Sequence, residues 1–169
     1  MSLSLYAATV PSMLQILRAG RGWLAKADEA DVSESELIAA SLIEDMLPFA
    51  YQVKSMAVHS KGAFDGIEKG VFSPDRTEPP STFGGLDSQL QEAIAYLESL
   101  DEQTVEAMRG ADMRFEIGSK RIPFTVVDFL LSFSQPNFYF HATTAYGILR
   151  ARGVQVGKLD YLGALRGKT

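Results

Sequence analysis

Residues 125–153 read TVVDFLLSFSQPNFYFHATTAYGILRARG. Thr125 stands where a capping hydroxyl is expected, and Gly153 where a helix turning into the left-handed region needs a residue without a side chain. Between them Phe129, Leu130, Phe133, Phe140, Thr144, Ile148 and Leu149 recur at helical spacing. This is a long final helix. A break or kink is expected at Pro136, since proline removes a backbone donor and its ring collides with the preceding turn.

Upstream, the period changes. Over Asp112–Phe124, Met113, Phe115 and Ile117 alternate with Arg114 and Glu116, Gly118-Ser119 suits a two-residue turn, and Ile122 and Phe124 follow. The expectation is a small β-hairpin that leans on the helices, because a lone hairpin is marginal in water. Before it, Leu90, Ala93, Ile94, Leu97 and Leu100 mark a third helix, capped at Asp87, stuttering at Asp101 and running on to Met108. Lys69–Gly85, with its prolines and glycines, reads as a loop.

A first helix is expected over Val10–Ala27, with Thr9 as N-cap, Pro11 in the first turn, and Gly20 and Gly22 allowing close helix approach. Ser33 and Glu36 form a capping box for a short helix, Glu34–Leu42. From Phe49 through Val53, Met56, Ala63, Phe64 and Ile67 the stripe predicts a long second helix, broken or bent near Pro48. The tail, Val154–Thr169, has little period and is expected to pack over the bundle end. Together these elements predict a mainly α protein, a four-helix bundle with one small β-hairpin, as a single domain over residues 1–169.

Composition narrows the function classes. The formal net charge of −5 argues against tracking a phosphate backbone, so no nucleic-acid partner is expected. With no cysteine, thiolate catalysis and thiolate metal ligation are excluded, leaving nitrogen and oxygen ligands. Met1–Ala8 does not read as a signal peptide, and no apolar run approaches membrane-spanning length. A soluble, cytoplasmic protein is expected.

The chain has two histidines, His59 and His141. Asn137 and His141 are four apart and share a helix face, the spacing of a two-ligand metal pair with Asn in the first place. Asn offers a neutral carbonyl oxygen, a much weaker ligand than imidazole. Two readings stand side by side: a buried His141–Asn137 hydrogen-bonded pair, or a metal or ligand site. In both, Phe140, Thr144 and Ile148 turn that face toward the core. His59 meets His141 if the second and fourth helices are neighbours. Asp45, Asp65 and Glu68 are the acids that join such a site, with Asp45 and Tyr146 placed at its pocket. The dense aromatics of the final helix read as core or as a dimer interface. No phosphate-binding loop, dinucleotide fingerprint, nucleophile elbow or zinc-protease motif is present.

Several stretches carry a resemblance. Asp45-Met46-Leu47-Pro48-Phe49, Lys61-Gly62-Ala63, the run from Pro136 to Arg150, Gly153-Val154 and Gly157–Gly163 together resemble a domain-of-unknown-function family allied to the DinB/YfiT-like superfamily of metalloenzymes. The resemblance spans essentially the whole chain. It implies a four-helix bundle, often dimeric. In the superfamily a three-histidine site binds a divalent metal, and some members catalyse thiol-dependent transfer or isomerisation. By analogy His141 matches the second histidine of the final-helix pair, Asn137 stands where the first would be, and His59 falls in the region of the second-helix ligand. Two histidines cannot make three ligands, so the usual site is absent or altered here. The reading that results is a DinB-like homodimer whose altered metal pocket serves small-ligand binding or a structural role. The alternative is a metal-dependent enzyme, of thiol-dependent transferase or hydrolase type, using His141 and Zn or Ni.

Overall fold

In a computed structural model that describes residues 3–168, four long helical segments pack around a common core. The first, α1 (Leu5–Asp28), begins five residues earlier than its apolar stripe predicts. Ser4 rather than Thr9 is the N-cap, accepting from the Ala7 N–H at 3.1 Å. Pro11 therefore lies inside the helix, not in its first turn. Buried Thr9 donates its hydroxyl to the Leu5 carbonyl at 2.7 Å, a back-bond that lets a polar side chain sit mid-helix.

The Ser33 box opens α2 (Glu34–Ala39). The Ser33 hydroxyl accepts from the Glu36 N–H at 3.3 Å, and the Glu36 carboxylate lies 2.8 Å from that same hydroxyl. Pro48 then caps α3 (Phe49–Val58), as the preceding-residue restriction predicts. The second helix, expected to run on through Ile67, is instead interrupted at His59–Ser60 and resumes as α4 (Lys61–Lys69). The Ser60 hydroxyl folds back on the Met56 carbonyl at 2.6 Å, satisfying an acceptor at the point where the ladder stops.

The third helix is split at Asp101, as expected, into α5 (Phe83–Ser99) and α6 (Glu102–Met108), with Asp101 capping the second. The start of α5 is capped by Thr82, which accepts from the Gly85 N–H at 3.1 Å. Asp87, expected as that cap, instead clamps the Arg21 guanidinium of α1 with contacts of 2.6 and 2.9 Å. At Gly20 the bundle closes tightly: a Cβ there would stand 3.1 Å from Met56 Cε and 3.2 Å from Leu90 Cδ1.

The hairpin forms over the residues predicted, β2 (Asp112–Ile117) and β3 (Lys120–Thr125), turning at Gly118 with φ +57°. It is not alone. Val71–Phe72, within the segment read as a loop, forms a short strand, β1, paired in parallel with Arg114 and Phe115 of β2. The sheet thus has three strands among the described residues, in order β1-β2-β3. Two residues are too few to show alternation, which is why the sequence pattern misses β1.

Thr125 caps the last helical segment, accepting from the Asp128 N–H at 3.1 Å. The segment comprises α7 (Val126–Asp128), a π-helical stretch Phe129–Ser134, and α8 (Gln135–Ala151). The interruption expected at Pro136 takes the form of a change of helix type: the π-helical stretch ends at Ser134 and Pro136 sits in the first turn of α8, where its missing N–H is tolerated. Gly153, at φ +83°, ends α8, with the Val154 N–H on the Leu149 carbonyl and the Gly153 N–H on that of Arg150. The tail is buried where it leaves α8, at Val154 and Val156, and Lys26 near the end of α1 reaches the Gln155 carbonyl. The tail's helix α9 (Lys158–Leu162) lies along α1, where Tyr161 stacks on Trp23 and the Asp160 and Leu162 carbonyls accept from Trp23 and Gln15. Met1, Ser2 and Thr169, the extreme ends of the expected domain, lie outside the described residues. No helix among those described is long and apolar enough to cross a membrane.

Candidate functional site

Two local features deliver the site's histidines. His59 ends α3 at the break before Ser60, and its carbonyl accepts from the Ser134 hydroxyl of the π-helical stretch at 2.8 Å. His141 lies one turn beyond Asn137 on α8. The packing of α3 against α8 brings the imidazoles together, with ring centroids 5.5 Å apart and planes 16° from parallel. The condition for the two histidines to meet, that the second and fourth helices be neighbours, is fulfilled by this packing.

The orientation of His141 is fixed by a residue that no sequence motif marks. Gln52, on α3 and 2% exposed, donates its side-chain amide to the Leu47 carbonyl at 2.8 Å, so its carbonyl oxygen must face the other way. That oxygen, Oε1, lies 2.7 Å from His141 Nδ1. An amide oxygen only accepts, so the proton of neutral His141 is on Nδ1 and the Nε2 lone pair is left over. Burial pushes His141 down to about 4. Burial, and then the proximity of His141, push His59 down to about 3. Both rings are neutral at pH 7. His59 Nδ1 is buried with no hydrogen-bond partner among the described residues.

The rings line a cavity of about 260 Å³ with Lys54, Asn137 and the aromatic side chains of Tyr51, Phe72 and Phe133. Phe72 comes from β1, so the unforeseen strand supplies part of the wall. Lys54, 2% exposed, reaches from α3 to the segment after β1, meeting the Thr77 carbonyl and hydroxyl and, at 3.1 Å, Asp75 Oδ1. A buried ammonium is tolerable only when compensated in this way.

Of the expected site residues, His59, His141 and Asn137 share the cavity. The hydrogen bond between Asn137 and His141 is absent: Asn137 Nδ2 turns back to the Phe133 carbonyl at 2.7 Å, while His141 takes Gln52. Phe140, expected to mark the core side, is 55% exposed. Asp45 is exposed in the turn before Pro48, and Tyr146 packs against Trp23 and Tyr161, so neither lines this cavity. Asp65 pairs with Lys61 at 2.6 Å, and Glu68 accepts from the Tyr96 hydroxyl at 3.1 Å.

The cavity's residues meet part of what a divalent metal requires. Neutral imidazoles are the right donors, and a centroid separation near 5 Å is that of two imidazoles sharing a tetrahedral ion at ~2 Å from each nitrogen. The third ligand is the difficulty. Among the described residues no group of three or more His, Cys, Asp or Glu side chains is disposed to hold a metal ion, and the Asn137 side chain offers only a neutral carbonyl oxygen. This set does not fit the three-imidazole site that the resemblance implies.

Comparison with known proteins follows the same lines. The family model described as "Domain of unknown function (DUF1993)" matches residues 5–162. Among solved structures, a DinB family member protein from Shewanella denitrificans is similar, with a TM-score of 0.81 and 28% identity, over 98% of this chain and 95% of that one. No curated protein matches the chain significantly.

Proposed function

The chain belongs to the DUF1993 family of domains of unknown function, with a DinB-like fold, and we propose that it is a small-ligand-binding protein. The observation that carries this reading is the pair of histidines side by side in a cavity, one of them held in a single tautomer by a buried glutamine. Such preorganisation of a free lone pair in an aromatic-walled pocket is how proteins orient small molecules. In this reading His141, His59 and Asn137 contact the ligand and Gln52 positions His141.

The proposal includes a single domain, a cytoplasmic location and a homodimer. Association is supported by exposed apolar side chains near α8: Phe140 is 55%, Leu42 49%, Ile43 62% and Leu47 51% exposed. Leu42 lies against Gly147 of that helix. Patches of this kind mark interaction surfaces.

A second reading is favoured by one observation. Metal-bound histidines donate their other ring N–H to an orienting acceptor, as His141 does to Gln52. A Zn or Ni ion held by His141, His59 and Asn137 would supply Lewis acidity and an activated water, the chemistry of a thiol-dependent transferase or hydrolase. Thermal melts of wild type and His141→Ala, with and without zinc or nickel, separate the readings. The ligand-pocket reading expects both proteins to ignore the metals and His141→Ala to melt lower, its Gln52 oxygen stranded. A rise confined to the wild type on adding metal would overturn it, since mass action stabilises only a protein that binds.

A further inference from the structure

The hydrogen-bonding capacity of the cavity wall can be accounted for atom by atom. Lys54 Nζ has three hydrogens and meets three acceptors, the Thr77 carbonyl, Thr77 Oγ1 at 2.9 Å and Asp75 Oδ1 at 3.1 Å. Its donors and its charge are therefore engaged within the wall. The His141 Nδ1–H is held by Gln52, and one Asn137 amide hydrogen by the Phe133 carbonyl. What remains is mostly lone pairs: His141 Nε2, Asn137 Oδ1 and Asp75 Oδ2 make no hydrogen bond among the described residues. Against them stands the second amide hydrogen of Asn137. The hydroxyls of Ser55 and Tyr51 donate or accept as required, and His59, with Nδ1 sealed, offers Nε2 in whichever role its tautomer leaves.

A carboxylate or phosphate placed here would give up water for a wall with one fixed donor, the second Asn137 hydrogen, and no free positive charge, and burying an uncompensated anion is costly. A positive head group would find these acceptors in a cavity also lined by the aromatic rings of Tyr51, Phe72, Phe115 and Phe133, and cations are attracted to ring faces. We infer that the cavity takes a small organic cation, a protonated amine or amidine carried on an apolar or aromatic body. This inference rests on the reading of the cavity as a ligand pocket and names the ligand class for it.

Isothermal titration of the chelator-treated chain at pH 7.5 with benzamidine, benzamide and benzoate tests it, since the three share a ring and differ in head-group charge. The expected result is benzamidinium binding at least tenfold more tightly than benzoate, with benzamide between. Asn137→Ala should weaken benzamidinium about fivefold or more, and Asn137→Asp, which adds a negative charge at the same place, should strengthen it. Benzoate binding as tightly as benzamidinium would overturn the cation assignment while leaving a ligand pocket standing. An affinity for benzamidinium unmoved in both folded Asn137 variants would also overturn it, by placing the probe elsewhere. Failure of all three probes to bind would overturn the assignment and the pocket reading together.

Discussion

His141 Nδ1 lies 2.7 Å from Gln52 Oε1, and the Gln52 amide nitrogen is tied in turn to the Leu47 carbonyl at 2.8 Å. One buried side chain thereby joins the turn before Pro48, helix α3 and helix α8. Removing it strands both partners. Gln52→Ala should cost about 1–3 kcal/mol, the usual penalty for unpaired buried polar groups, with urea unfolding as the measurement. Gln52→Glu should keep the hydrogen bond but add a negative charge, moving the His141 titration upward from about 4 toward the ordinary value.

Acid should destabilise the fold through the two histidines. Both folded-state values, about 3 for His59 and about 4 for His141, lie below the ordinary value near 6.5. The unfolded chain therefore takes up these protons first. Stability is complete above about pH 6.5 and falls as pH drops through the window down to about 4 and then 3, by up to about 1.4 kcal/mol per pH unit for each histidine. Urea midpoints between pH 7 and pH 4.5 should decline in the wild type and more shallowly in His141→Phe. Equal slopes in the two proteins would contradict the assignment.

Two neighbouring glycines of α1 should respond oppositely. Gly20 faces Met56 and Leu90, where an added Cβ stands 3.1–3.2 Å from their side chains, whereas nothing lies within 4 Å of a Cβ on Gly22. Gly22→Ala should stabilise by about 0.5–1 kcal/mol through helix propensity alone. Gly20→Val should destabilise by about 1–3 kcal/mol through overpacking. Thermal melts of the two variants suffice.

Much of this architecture was legible in residue periodicity, and the exceptions have physical causes. The apolar stripes located the long helices, and the alternation of Met113, Phe115 and Ile117 located the hairpin. Where a side chain serves a distant partner, local pattern misleads: Asp87 looks like a cap yet pairs with Arg21 across the bundle, and the true cap is Thr82. The break at Ser60 has no proline to announce it. His59 and His141 stood out as the chain's two histidines, and their shared cavity follows once α3 and α8 are neighbours. Gln52, Lys54 and Asp75 did not, because a glutamine, a lysine and an aspartate on helices and loops look solvent-facing until tertiary packing buries or pairs them.

The exposed apolar residues beside α8 predict self-association. Two copies joined through one patch would form an isologous interface. Sedimentation equilibrium at micromolar concentration should give twice the chain mass of 18.5 kDa. Phe140→Glu should shift it to the monomer without lowering helix content. A wild type that sediments as a monomer would contradict the dimer.

The chemistry of the cavity turns on His141 being a neutral imidazole locked by Gln52 with its Nε2 lone pair free. Long-range proton–nitrogen NMR of the histidine rings across pH 3–8 measures this directly. The His141 ring should be protonated on Nδ1 in the neutral form and titrate near 4, with Gln52→Ala allowing both tautomers. A His141 ring protonated on Nε2, or titrating near 6.5 as in an unstructured chain, would contradict it.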